Sequence, residues 1–278
     1  MSLMREPDCA GRAVVVTGGT RGIGAGIARG FLAAGADVLV CGRTDPAEES
    51  SPAVPAGGPA GQAGLPAVGG RSAVFAPADV RDAAQAQRLI RTAADRFGRV
   101  DLVISNAGGS PPAAAATASP RFHAKVIELN LIAPLHVAQA ANAVMQDQPG
   151  GGSIIMIGSV SGTRPSPGTA AYGAAKAGLH NLAATLAVEW APKVRVNTVV
   201  PGPVATGSPA AGAHFGDEAG VAAVGGTIPM GRIATPDDVA GACLFLASPA
   251  AAYLTGSALL VHGGGERPAF LAVTEPPV

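Results

Sequence analysis

The sequence predicts an α/β protein built on an open, doubly wound, mostly parallel seven-stranded sheet with helices on both faces. Three observations predict it. Short, nearly uncharged β-branched runs recur along the chain, the first two being Ala13-Val-Val-Val-Thr17 and Asp37-Val-Leu-Val-Cys41. Such runs read as strands buried on both sides. Helical patterns alternate with them, as crossovers between parallel strands require. The first strand runs straight into a glycine-dense turn, Gly18 to Gly24, that opens a helix.

The elements follow in order. The glycine turn leads into an Ala- and Ile-rich helix ending near Gly35, then the second strand. Residues 46–70 are mostly Pro, Gly, Ala and Ser without apolar periodicity, and predict a mobile loop. Strands are expected at Ser72–Phe75, Val100–Ile104, Ser153–Ile157, Val194–Val199 and Ala258–Val261. Helices are expected at Asp82–Phe97, Pro120 to about Met145, Ala170–Trp190 and Pro236–Ala247. Thr235 is placed to cap the last of these, with Pro236 at its first position. The whole length, 1–278, fits one domain, with a lid region at about 204–232 and an irregular tail at about 266–278.

Composition narrows the function. Hydrophobic residues make up 48% and charged residues 14%, and Lys+Arg equals Asp+Glu at 19 each. A neutral chain with 4% aromatics lacks the basic stripe and stacking platforms of a nucleic-acid binder. No segment reads as a membrane span or signal peptide. Cys9, Cys41 and Cys243 are far apart and odd in number, which fits a reduced, cytoplasmic setting. His123, His136, His180 and His214 have no metal spacing, so no metal site is expected.

Two motifs carry chemistry. In a parallel sheet the turn Thr17 to Gly24 lies at the carboxyl edge, where glycines and free helix amides accept a pyrophosphate. The spacing is T-G-x-x-x-G-x-G, and Gly18, Thr20, Arg21, Gly22, Ile23 and Gly24 are candidate coenzyme contacts. Tyr172 and Lys176 lie four apart on one helix face. An ammonium beside a phenol lowers its pKa and suits it to acid–base work on an alcohol or carbonyl. With two Tyr and three Lys in the chain, composition alone gives roughly 0.02 such pairs. Ser159 ends the preceding strand and is placed to face the same crevice. A hydrolase elbow is excluded, because the centre of Gly158-Ser-Val-Ser-Gly162 is Val160.

Taken together these residues resemble the short-chain dehydrogenase/reductase family, in its shorter single-domain branch with a Rossmann-type fold. The resemblance spans about Gly11 to Gly264. It rests on the glycine turn, Asp79-Val80, Asn106-Ala107-Gly108, Asn130, Ser159, Tyr172, Lys176 and Pro201-Gly-Pro-Val-Ala-Thr206. It implies an NAD(P)-dependent oxidoreductase passing hydride between nicotinamide and a carbonyl or secondary alcohol. Tyr172 is then the acid in reduction and the base in oxidation, Lys176 holds the ribose, Ser159 the substrate oxygen, and Asn130 a proton-relaying water. Asp79 and Val80 are implied at the adenine, Asn106, Ala107 and Gly108 at the ribose, and Pro201, Gly202, Val204 and Thr206 at the carboxamide side. A homotetramer or homodimer is also implied.

The end of the second strand addresses the coenzyme. An acid there binds the NAD ribose, but this chain has Gly42, then Arg43 and Thr44, with Arg21 in the turn. Two guanidiniums favour the 2′-phosphate of NADP, with NAD as the alternative. The substrate loops 109–123 and 204–232 are poor in charge, which suggests an apolar ketone, acyl thioester or sterol-like alcohol, as in 3-oxoacyl or ketone reductases. The alternatives are an NAD-dependent secondary alcohol dehydrogenase of the same fold and a non-catalytic nucleotide-binding module.

Overall fold

The computed structural model describes residues 8–45, 64–206 and 217–266. The strands are β1 (Ala13–Thr17), β2 (Asp37–Gly42), β3 (Ala67–Val68), β4 (Arg71–Ser72), β5 (Val74–Pro77), β6 (Leu102–Ser105), β7 (Gly152–Ile157), β8 (Val194–Pro201) and β9 (Ala258–Val261). The helices are α1 (Gly22–Ala33), α2 (Ala83–Phe97), α3 (Pro120–Ile127), α4 (Ala133–Asp147), α5 (Ala170–Trp190), α6 (Glu218–Thr227) and α7 (Pro236–Ala247).

Seven strands form one sheet in the order β5-β2-β1-β6-β7-β8-β9, every pair parallel. The order reverses between β1 and β6, so a crevice opens at their carboxyl ends. Strand pleating explains the unbroken apolar runs. Val14 and Val16 of β1 enter the core under α1 and α7, while Val15 enters the core under α2, α4 and α5. Val38 and Val40 against Leu39 and Cys41 divide the same way. A Cβ on Gly26 would stand 2.3 Å from the Pro236 side chain, so glycine lets α1 lie directly on the start of α7.

Helix ends follow local chemistry. Asp82 caps α2 by accepting from Ala84 N and Gln85 N, and Ser119 caps α3. Thr235 and Asp238 form a reciprocal capping box on α7, and Arg232 grips the Asp238 carboxylate at 2.7 and 2.8 Å. Those bonds hold Asp238 well below the usual carboxylate range. Asp238→Ala is therefore expected to cost about 1–2 kcal/mol in urea unfolding near neutrality. The contribution is present above the unfolded pKa of about 4 and fades as pH falls below it.

Three elements differ from the sequence expectation. The segment 46–70 was expected to be a loop. Residues 46–63 lie outside the described residues, but 67–72 form a small antiparallel hairpin, β3–β4, and the sheet strand starts at Val74 rather than Ser72. The helix expected from Pro120 to Met145 is interrupted by a wide π turn at Glu128–Ile132. The lid contains α6, whose Gly- and Ala-rich sequence has no polar stripe, although Asp217 caps it through Gly220 N at 3.0 Å. Residues 207–216 of the lid and the tail from 267 lie outside the described residues.

Candidate active site

The glycine turn crosses the carboxyl end of β1. Thr17 Oγ1 accepts hydrogen bonds from Asn106 N at 2.9 Å and Ala107 N at 3.0 Å, and Asn106 Nδ2 donates to Thr17 O and Gly18 O. The loops after β1 and β6 are thereby stitched together. A Cβ on Gly24 would lie 2.3 Å from Gly18 O and 2.5 Å from Asn106 Nδ2, so only glycine closes this turn. The N-cap of α1, Arg21, makes no side-chain cap bond. The first amides of α1 therefore remain donors for an anion. Thr206 reaches the turn, its Cβ 3.5 Å from where a Cβ on Gly22 would stand.

At the outer edge of the crevice, Arg21, Arg43 and Thr44 are exposed at the ends of β1 and β2, and Thr20 lies beside Gly42. Asp79 follows β5. Its carboxylate accepts from Arg81 Nε at 2.9 and 3.1 Å and pairs with the rest of that guanidinium. That grip, with a smaller contribution from Arg43, pulls the Asp79 pKa down. The Asp79 carboxylate is thus oriented by Arg81, which carries no motif in the sequence. Val80 is buried in the core with Leu39 and Cys41.

The expected Tyr172–Lys176 pair stands on α5. Tyr172 is partly buried, and Ser159 is the side chain that acts to lower its phenol pKa. Lys176 is 3% exposed, donates to Ile157 O at 2.7 Å, and holds its Nζ 5.6 Å from the centre of the Tyr172 ring. Burial pushes Lys176 down to about 8, which leaves it mainly an ammonium at neutral pH. The expectation that Lys176 would set the phenol low needs correction. Burial raises the Tyr172 pKa above its ordinary value, and the opposing influence is the Ser159 hydrogen bond. The phenol is protonated at neutral pH, the state a proton donor needs.

Asn130 sits in the π turn and is fully buried. Its Nδ2 donates to Gly109 O and Val126 O, and Gly109 N donates to its Oδ1 at 2.8 Å. Both amide hydrogens are therefore spent on backbone, and the side chain anchors the loop after β6. A Cβ on Gly108 would meet Asn130 Oδ1 at 2.8 Å and Lys176 Nζ at 3.5 Å, which brings this loop against the Lys176 ammonium. Pro201 and Val204 are buried after β8, and Val204 bridges to Ala234 below the lid. The expected residues thus come from eight segments around the carboxyl edge of the sheet. Among the described residues no cluster of His, Cys, Asp or Glu is arranged to hold a metal. None of the described helices is long and apolar enough to cross a membrane.

Known proteins share this arrangement. A family model described as enoyl-(acyl carrier protein) reductase matches residues 18–266. The chain is 36% identical over 260 residues to 3beta-hydroxysteroid dehydrogenase 1 of Eggerthella lenta, covering 92% of this chain and 94% of that protein. It is 34% identical to an L-rhamnose 1-dehydrogenase (NAD(P)(+)) of Azotobacter vinelandii, covering 91% and 96%. The crystal structure of a short-chain type dehydrogenase/reductase from Mycobacterium marinum superposes with a TM-score of 0.81 at 30% identity, covering 95% of this chain and 98% of that one. With its β5-β2-β1-β6 sheet core, glycine turn and Tyr–Lys helix, this chain belongs to the short-chain dehydrogenase/reductase family and is an oxidoreductase acting on CH–OH groups.

Proposed function

We propose that the protein is an NADP(H)-dependent reductase of uncharged, largely apolar carbonyl compounds, with Tyr172 as proton donor. The observation that carries this reading is the buried Lys176 ammonium, bonded to Ile157 O at the end of the strand that leads to Ser159, with its Nζ 5.6 Å from the centre of the Tyr172 ring. The nicotinamide, when bound, supplies the hydride to the carbonyl carbon. Tyr172 gives its proton to the carbonyl oxygen, which becomes the alcohol. Ser159 donates a hydrogen bond to that oxygen and fixes it at the phenol. Lys176, its Nζ 5.6 Å from the ring centre, would hold the nicotinamide ribose. Oxidation runs the same path backwards and needs the phenolate, so it gains as pH rises while reduction does not.

The cradle fits a dinucleotide. Gly24 closes the turn tightly on Gly18 O and Asn106 Nδ2, the uncapped first amides of α1 are donors for a pyrophosphate, and Gly108 brings the loop after β6 against Lys176, the residue proposed to hold the ribose. Coenzyme choice rests on Gly42, which offers no carboxylate, and on the exposed Arg21 and Arg43. Arg43→Asp is expected to weaken NADPH by roughly 10- to 100-fold, the loss of one charge-assisted bond, and NADH far less. Fluorescence titration of both coenzymes checks it, and equal losses would sink the assignment.

The substrate reading draws on the loop Gly109 to Ser119, which has no charged residue, and on the hydroxysteroid dehydrogenase among the relatives. We also place the enzyme in a reduced cytoplasm as a homodimer or homotetramer. The free, buried cysteines support the first, and the exposed Val188, Tyr253 and Leu260 the second.

A further inference from the structure

His180 stands one turn beyond Lys176, so Tyr172, Lys176 and His180 line a single face of α5. Its imidazole packs edge-on against the strand end that bears the reactive serine. A Cβ on Gly158 would lie 2.3 Å from His180 Nε2, and one on Gly162 would lie 3.0 Å from His180 Cε1. Both neighbours of the ring are thus glycines flanking Ser159. His180 Nε2 is buried without a hydrogen-bond partner. A polar ring that makes no bond at its buried end is retained there for its shape and place.

We propose that His180 is a positioning residue for the reaction: its imidazole is the wedge that sets the height of the Ile157-Gly158-Ser159 strand end above α5. Through that contact it keeps Ile157 O on Lys176 Nζ and sets where Ser159 stands relative to Tyr172. The inference rests on the proposed roles of Ser159, Tyr172 and Lys176.

The surroundings require a neutral ring. Lys176 on the same helix is the charged group facing it, and Tyr172 is the other titratable group on that face. The strand end and the following turn contribute only Gly158, Ser159 and Gly162, and β8 contributes Thr198, whose methyl lies 2.9 Å from the same Gly158 Cβ position. Burial, and then the Lys176 charge, hold the His180 pKa below its ordinary value. A neutral side chain of equal reach can therefore replace it.

The test compares His180→Gln with His180→Asn, two neutral amides that differ in reach. Glutamine extends to the position of Nε2 and asparagine stops short. Carbonyl reduction with NADPH is followed as kcat, KM and their pH dependence. His180→Asn is expected to lose roughly 10- to 100-fold in kcat, as misplacement of about 1 Å costs. The basic limb of its profile should move to higher pH, because Ser159, the group that lowers the phenol pKa, is displaced. His180→Gln should retain most of kcat and the parent profile. Gly158→Ala should be impaired, and adding His180→Asn should relieve part of the loss by removing the closest clash, the Thr198 methyl at 2.9 Å accounting for what remains. Two amide variants that behave alike, or an unmoved limb in His180→Asn, overturn the wedge. Tyr172→Phe in the same assay keeps the two claims apart: if it turns over normally, the proposed catalytic roles fail rather than the wedge.

Discussion

Tyr172→Phe should lower carbonyl reduction by about 10²- to 10⁴-fold in kcat, the contribution of a positioned general acid. The ring stays, so its packing on α5 and the 5.6 Å approach of Lys176 are preserved. What leaves is the hydroxyl proposed to carry the transferable proton. NADPH affinity should change little, because the glycine turn and the Asn106–Thr17 stitching are untouched. Normal turnover in the variant would remove Tyr172 from the chemistry.

Lys176→Met should abolish most activity and yet stabilise the fold. Turnover should fall by about 10²- to 10³-fold, comparable to losing one fixed donor that stabilises transition-state charge. The stability effect follows from burial, which holds the ammonium at about 8 instead of its ordinary 10.5. Between these values the unfolded chain binds more protons, so stability rises as pH rises from 8 towards 10.5. Below pH 8 the full burial penalty is present, on the order of 3 kcal/mol. Methionine removes it and leaves Ile157 O unpaired, which costs about 1 kcal/mol. The coenzyme-free variant should therefore melt higher at pH 7 by roughly 2–4 °C per kcal/mol gained. The gain should shrink as pH approaches 10. A lower melting temperature at pH 7 would mean that Lys176 is net stabilising. The site would then carry no stability cost for its function.

Much of this was legible in the sequence because the signals are local. β1 and β2 read as strands since every residue from Ala13 to Thr17 is buried on one face of the sheet or the other. Tyr172 and Lys176 could be paired from spacing alone, and α5, α7 and β9 have the bounds that their patterns gave. The unread parts depend on tertiary contacts. Arg81 is an unremarkable surface-type residue until Asp79 turns back onto it. Thr17 closes a strand in sequence, and only the fold brings two amides of the next crevice loop to its hydroxyl. The π turn at Asn130 has no sequence signature separate from the helix around it. His180 reads as a lone histidine, and its meaning comes from Gly158 and Gly162, which are distant in sequence. The phenol pKa was misjudged because spacing reports which charge is near but not how much water the fold removes.

The central claim is that this crevice binds a nicotinamide dinucleotide and favours the phosphorylated form. Titrating the purified protein with NADPH and with NADH, followed by nicotinamide fluorescence, tests it most directly. The account predicts saturable binding of both, with NADPH the tighter. Binding of neither would contradict it, because the glycine turn, the α1 amides and Lys176 would then have no ligand to serve.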